Sequence, residues 1–238
     1  MSPDQIQGSH NIKGILFDVD GTLYHQAPLR TIMLLLLVLL NLLKPRELKR
    51  KVRVIRQYRK AQEILRESLG MQAGNRNSQL LLTAHRTGES VPFISDVIEE
   101  WFEKRPLPFL RFCCRRRLNR SMGLLNKKGI TLGIFSDYPA EKKLEALGIS
   151  KYIKTVISSS DEGVQGFKPK TNGFTIAAGK MGLKPSEILY VGDRPEVDGP
   201  GGVDAGMQVA IIKSFLRNGN AHGYRSLNSL SDLVGAIE

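Results

Sequence analysis

Short apolar runs that each stop at a polar or acidic turn, with helical segments between them, constrain this chain more than any other feature. Ile12 to Val19 reads Ile-Lys-Gly-Ile-Leu-Phe-Asp-Val, the pattern of a buried strand whose C-terminal end carries carboxylates. Ile130 to Phe135 repeats it and ends at Ser136-Asp137; Ile153 to Ser158 is a third run, Ile188 to Val191 ends at Gly192-Asp193, and Gln208 to Ile212 is a fifth. Between them, Ala140 to Leu147 places Leu144 and Leu147 on one helical face, and Asn172 to Met181 does the same with Phe174, Ala177, Ala178 and Met181. Apolar strands alternating with helices predict an α/β fold, a doubly wound, Rossmann-like parallel sheet. Ligands of such sheets lie beyond the C-terminal strand ends, where the acidic residues of this chain gather.

The charge is split along the chain. Residues 24–120 hold 20 of the 35 Lys and Arg but 8 of the 23 Asp and Glu, a net +12, while the rest holds 15 of each sign. A neutral module at 12–23 and 121–238 is thus interrupted by a basic insert at 24–120, behind a polar tail at 1–11 expected to be flexible. The insert reads as an all-helical cap domain. Ile32 to Leu43 is one helix. Pro45 opens a second that runs to Leu69, a break follows over Gly70 to Asn77, a later helix carries Phe93 to Phe102, and Pro108 starts a helix through Leu125. The asymmetry points to an anionic partner for the cap.

Several classes of protein are excluded. With 41% hydrophobic residues the chain can bury a core and is not disordered throughout. The two Cys, adjacent at 113 and 114, make neither a disulfide framework nor a metal knuckle, and a reducing, cytoplasmic setting is expected. No secretory signal is visible in the first residues. Ile32 to Leu43 is too short for a spanning helix, which needs roughly 20 residues. The basic runs interleave few aromatics, only Tyr58 and Phe112, which argues against nucleic acid.

Four carboxylates, one hydroxyl and one ammonium converge at the predicted sheet edge: Asp18, Asp20, Ser136, Lys168, Asp193 and Asp198. Carboxylates packed in this way repel unless a cation joins them, and oxygen ligands suit Mg²⁺. Any one of these Asp residues alone would read as a turn or helix-cap residue; their order along the chain is what carries weight.

Asp18-Val19-Asp20-Gly21-Thr22, Ser136, Lys168-Pro169 and Gly192-Asp193 with Asp198 together resemble the four motifs of the haloacid dehalogenase superfamily, across the neutral module. A helical insert directly after the first motif resembles the phosphoglycolate-phosphatase-like subclass. The resemblance implies a Mg²⁺-dependent phosphatase that hydrolyses a phosphate monoester through an aspartyl-phosphate. Asp18 is then the nucleophile and Asp20 the general acid and later base, Ser136, Asp137 and Lys168 contact the substrate phosphate, and Asp18, Asp20 (by its backbone carbonyl), Asp193 and Asp198 hold the metal. Dehalogenases of this superfamily lack the second Asp of the first motif, so Asp20 favours phosphate chemistry; sugar phosphomutases share the pattern and are the alternative enzyme. Many relatives carry Asn where this chain has Asp137. Gly199-Pro200-Gly201-Gly202 is looser than the usual helix start, and a mobile loop is expected there.

The cap supports two readings. Lys44 to Lys60 contains nine Lys or Arg against Glu47 alone, and Arg111, Arg115, Arg116, Arg117 and Arg120 form a second cluster. These are either a solvated basic face over a small bundle or, with Ile32 to Leu43, an interfacial device that meets an anionic membrane peripherally. The second reading implies an amphiphilic or lipid-linked phosphorylated substrate, in place of a small soluble one, and leaves a non-catalytic membrane-surface module as the non-enzymatic alternative. The His residues are scattered; His25, just past the first motif, is a weak site candidate.

Overall fold

The computed structural model describes residues 11–67, 75–164, 166–213 and 223–237. In chain order the elements are β1 (Gly14–Phe17), α1 (Gln26–Leu40), α2 (Pro45–Glu67), α3 (Arg76–Thr87) and α4 (Val91–Ile98), which passes into a π-helical stretch (Glu99–Lys104). A 3₁₀ turn (Leu107–Phe109), α5 (Leu110–Cys113) and α6 (Leu118–Lys127) lead back to β2 (Thr131–Ser136). Then come α7 (Glu141–Leu147), β3 (Ile153–Ser158), α8 (Asn172–Met181), β4 (Ile188–Gly192), α9 (Pro195–Asp204), β5 (Gln208–Ile212), β6 (Arg225–Leu227) and α10 (Leu230–Ala236). Six parallel strands pair in the order β3-β2-β1-β4-β5-β6. The five apolar runs are strands, as expected. The sixth, three residues of Arg-Ser-Leu, has no apolar run to reveal it.

The order reverses between β1 and β4, which opens a crevice at their C-terminal ends. Strand alternation splits the core into two layers. Ile15 and Phe17 face a cluster with Leu118, Met122, Leu144 and Leu230 from α6, α7 and α10. Leu16, Phe135 and Tyr190 face Phe174, Ala177, Ala178 and Met181 of α8.

The insert is helical, with a core of its own around Leu37, Val54, Tyr58, Leu80, Ile94, Val97, Ile98 and Trp101. Asn75 caps α3 by accepting from the Ser78 N–H, and Gly88 ends that helix in the left-handed region. The expected break over Gly70 to Asn77 lies, up to residue 74, outside the described residues, as do most of the polar tail, His10 and His222. The helix expected from Ile32 starts earlier, at Gln26, with Pro28 tolerated in its first turn. Leu29 and the partly buried Ile32 and Met33 pack on the sheet's core, as do Leu110 and Cys113.

Two expectations are corrected. The helix from Pro108 to Leu125 is interrupted at Cys114–Arg117. Cys114 turns extended to bridge Tyr24, the Arg115 N–H donates to the Leu23 carbonyl (3.0 Å), and Arg117 takes φ 61°. Entry to and exit from the cap are thus stitched together. The stretch Gly199 to Gly202 is not a loop but the middle of α9, Pro200 included. A Cβ at Gly199 would lie 2.2 Å from the Tyr224 ring, at Gly201 2.6 Å from Phe174, and at Gly202 2.6 Å from Val209. The glycines let α9 press onto its neighbours.

Candidate active site

β1 and β4 end side by side, and the Asp18 N–H donates to the Val191 carbonyl (2.9 Å), so Asp18 and Asp193 emerge into the same crevice. Ser136 ends β2, buried, and its hydroxyl accepts from the Tyr138 N–H (3.3 Å). Gly21 turns the first loop at φ +106°; a Cβ there would fall 2.3 Å from Asp193 Oδ2. Only glycine permits this closure. Thr22 Oγ1 donates to Asp18 Oδ2 (3.0 Å). Arg115, expected in the basic surface of the cap, is instead buried and donates to the Gly21 carbonyl (2.7 Å) and the Lys213 carbonyl (3.1 Å), fixing this loop from behind.

Lys168 is the centre of the cluster. Its Nζ donates to Asp18 Oδ1 (2.5 Å), Asp198 Oδ1 (2.9 Å) and the Tyr190 hydroxyl (2.9 Å). Burial would strip its proton, but the charges of Asp18 and Asp198 hold its pKa well above the usual lysine value. Asp198, in the first turn of α9, is saturated by protein donors: Oδ1 accepts from Lys168 and from Tyr190 (2.8 Å), Oδ2 from the N–H groups of Asp193 (3.1 Å) and Arg194 (2.9 Å). Against the pull of burial, Lys168 and these donors keep it below the ordinary carboxylate range.

Asp18 goes the other way. Burial, opposed by Lys168 but reinforced by Asp198, Asp193 and Asp20, pushes its carboxyl up to about 7. The cluster holds more negative charge than one ammonium can balance, which is the situation a divalent cation relieves. Among the described residues no three ligating side chains cage an ion by themselves. An oxygen set of Asp18, Asp193 and backbone, completed by water and phosphate, is the kind Mg²⁺ accepts.

Asp20 brings in a residue that sequence reasoning missed. Lys143 of α7, itself buried, donates to both its oxygens (2.7 and 2.9 Å), and the Tyr24 hydroxyl donates to Oδ1. Burial raises the Asp20 carboxyl, and Lys143 with Tyr24 outweighs it, so that it sits low. Lys143 is one of two adjacent lysines on a short helix, and no spacing signal marks it. Asp137 accepts from the Lys168 N–H (3.0 Å) and Ser159 (3.2 Å) on one oxygen, and from Gln62 (3.3 Å) and Arg66 of α2 on the other. Its side chain therefore ties the cap to the strand-end loop. Tyr138 continues the tie, donating to Gln62 Oε1 (2.9 Å) and stacking on Tyr58 (6.2 Å between centroids). His25, the candidate just past the first motif, stands at the N-terminal boundary of α1 without a side-chain capping hydrogen bond and is not among the residues that line the pocket.

Asp18, Asp20, Asp137, Lys143, Lys168, Asp193 and Asp198 floor a pocket of about 410 Å³, and Ser136 lies behind them, outside its lining. The cap roofs it with Met33, Leu34, Leu37, Ile55, Trp101 and Phe102, and Arg59, Arg66 and Arg194 stand at its side. Once a divalent cation offsets the excess negative charge of the floor, its central ammonium and the guanidinium groups at its side suit an anionic head, and the apolar roof suits a less polar body attached to it.

The sequence model of one protein family, haloacid dehalogenase-like hydrolase, matches residues 12–206. Phosphoglycolate phosphatase of Escherichia coli (strain K12) is 38% identical over 76 residues, 31% of this chain and 29% of that protein, so the match spans under a third of that relative. Phosphoglycolate phosphatase of Salmonella choleraesuis (strain SC-B67) is 28% identical over 203 residues, 77% of this chain and 74% of that one. Among solved structures, a HAD phosphatase from Thermococcus onnurineus superposes with a TM-score of 0.65 at 21% identity, covering 95% of this chain and 98% of that one. The 2-haloacid dehalogenase from Pseudomonas syringae pv. Tomato DC3000 gives 0.63 at 19% identity, with coverage of 95% and 98%. A phosphatase and a dehalogenase thus share this fold, and the choice between their chemistries rests on the residues of the site.

Proposed function

The chain belongs to the haloacid dehalogenase-like hydrolases, and on that premise we propose that it is a Mg²⁺-dependent phosphomonoesterase acting through Asp18. The observation that carries this reading is the pairing of two carboxylates with separate partners: Asp18 held by Lys168 and Thr22, Asp20 held by Lys143 and Tyr24. That pairing supports the reading of Asp18 as the nucleophile and Asp20 as the proton carrier.

In the first step an oxygen of Asp18 forms a bond to phosphorus while the bond from phosphorus to the ester oxygen breaks, leaving an aspartyl-phosphate. As substrate enters, the pair of Asp20 with Lys143 parts and the Asp20 carboxylate takes up a proton from water or from the phosphate monoanion; it delivers that proton to the departing oxygen. In the second step Asp20, again a carboxylate, takes a proton from the water that attacks phosphorus and frees Asp18. Lys168 neutralises charge gathering on the phosphoryl oxygens, and Ser136 hydrogen-bonds one of them. Asp198, with its acceptor sites committed, positions Lys168 and the backbone of Asp193. Mg²⁺ held by Asp18, Asp193 and the Asp20 carbonyl would screen the anionic nucleophile from the anionic ester. The Asp137 side chain acts on the phosphate indirectly, by fixing the Lys168 backbone.

The substrate is a phosphorylated small molecule, and the apolar roof favours an amphiphilic one, lipid-linked compounds included. The test is phosphate release from p-nitrophenyl phosphate, with and without Mg²⁺, by the wild-type chain and by Asp18→Asn. Mg²⁺-dependent turnover in the wild type and none in the variant is expected. Activity of the variant within tenfold of wild type would sink the covalent assignment.

A further inference from the structure

We propose that the C-terminal end of α1 and the basic face of α2 form one docking surface for an anionic lipid bilayer, next to which the catalytic pocket opens. Of α1 only Leu29 and Leu37 are buried. Within it Leu35 is 58% exposed and Leu39 65%, with Leu40 exposed as well, and in the turn that follows Leu42 is 66% and Leu43 94% exposed. A contiguous aliphatic patch of this kind on a folded chain marks a contact site. The chain runs from it directly into Lys44, Arg46 and Lys49, all exposed. One face of α2 then presents Lys49, Arg53 and Arg56 at helical spacing, around a shallow groove of about 310 Å³ with Leu48 and Val52 in its lining. None of these three cations is paired with a carboxylate among the described residues; the salt bridges of α2 are made by Arg50 and Arg66 and by Glu63 with Arg194.

Charge decides the occupant. A second copy would bring nine Lys and Arg against one Glu from residues 44–60 to meet the same excess, and like charges across an interface oppose association. Single-stranded nucleic acid would need aromatic platforms where this patch offers leucines. Anionic headgroups meet both halves: the leucines enter the interfacial region while lysine and arginine reach lipid phosphates. The same helix also lines the active site. Met33, Leu34 and Leu37 are pocket wall, and Leu34 is 57% exposed, so one side chain belongs to both surfaces. An amphiphile anchored in the bilayer could then present its phosphate to Asp18; this clause rests on the phosphomonoesterase reading, whereas the docking does not.

The experiment is flotation of the full chain with vesicles of phosphatidylcholine alone or mixed equally with phosphatidylglycerol, at low and high salt. Binding is expected only with the anionic lipid and should weaken as salt screens it. Neutralising Lys49, Arg53 and Arg56 to Gln should lower partition about fivefold per residue, and Leu39→Glu with Leu42→Glu should abolish it. None of these side chains lines the catalytic pocket, so p-nitrophenyl phosphate hydrolysis and circular dichroism should be unchanged, which keeps failure of docking distinct from failure of the enzymatic reading. Equal partition to both vesicles, no partition to either, or leucine-dependent self-association without lipid affinity would overturn the proposal.

Discussion

Lys143 and Asp18 show how single side chains set the state of this site. Lys143 grips both oxygens of Asp20 from a buried position on α7, so removing it takes away the main partner of the carboxyl and leaves the Tyr24 hydroxyl to hold it. Lys143→Met should lower kcat with little change in KM, by no more than the ~10²–10⁴-fold that acid–base catalysis is worth, and Lys143→Arg should recover part of it. A change confined to KM would make Lys143 a substrate contact. Asp18 yields a pH prediction for the metal-free chain. Its folded pKa, about 7, lies above its ordinary value of 3.8. Above the upper value the folded state must hold a charged carboxylate that the unfolded state holds more easily. This group therefore removes stability as pH rises from about 4 through 7, and none is removed below that window. Thermal unfolding without metal should show this loss between about pH 4 and 7 and a plateau above it, Mg²⁺ should reverse it most on that plateau, and Asp18→Asn should abolish it. An identical pH response in Asp18→Asn would place the effect elsewhere.

At the scale of elements, α9 holds Asp198 against Lys168 because its glycines let it sit close. A Cβ at Gly201 would lie 2.9 Å from the Pro169 carbonyl, backbone of the Lys168 loop, as well as against Phe174. Gly201→Ala should destabilise by about 1–3 kcal/mol, as overpacking does, and lower activity with it. Gly179→Ala in α8, where a Cβ meets nothing within 4 Å, should instead stabilise by about 0.5–1 kcal/mol. Chemical denaturation of the two variants reads both signs, and equal effects would show that packing around α9 is loose. The same helix marks where sequence reasoning ends. Asp18, Ser136 and Asp193 were legible because each follows an apolar run of strand length, and strand ends of a parallel sheet share one edge. Gly199 to Gly202 misled, because glycines that relax a loop and glycines that admit a neighbour's ring look alike until the neighbour, Tyr224, is known. Arg115 looks like surface in the sequence for a related reason: a run of arginines does not show which one turns inward to the Gly21 carbonyl. The tie from Asp137 to Gln62 and Arg66 joins residues more than seventy positions apart, a pairing that no local pattern encodes.

Across the whole molecule, the strand ends carry the carboxylates and the helices of residues 24–120, net +12, carry the roof, and the pocket lies where they meet. Its floor is fixed by ion pairs and its roof is built from Met33, Leu34, Leu37, Ile55, Trp101 and Phe102. Floor and roof can be probed separately with a homologous series of straight-chain alkyl phosphates, from ethyl upward. Their leaving groups are chemically alike, so the floor treats them equally and only the roof distinguishes them. Burying a methylene against apolar side chains contributes about 0.8 kcal/mol, or about fourfold per carbon in kcat/KM. The series should rise by up to that factor per carbon until the chain outruns the roof, and then level off. The rise must appear without vesicles, since it comes from the pocket wall and not from a bilayer. Leu34→Ser should flatten it while leaving p-nitrophenyl phosphate turnover nearly intact. A series that is flat from the first member would mean that Met33, Leu34 and Leu37 only pack against the cap, and that the substrate is a compact polar ester held by Arg59, Arg66 and Arg194.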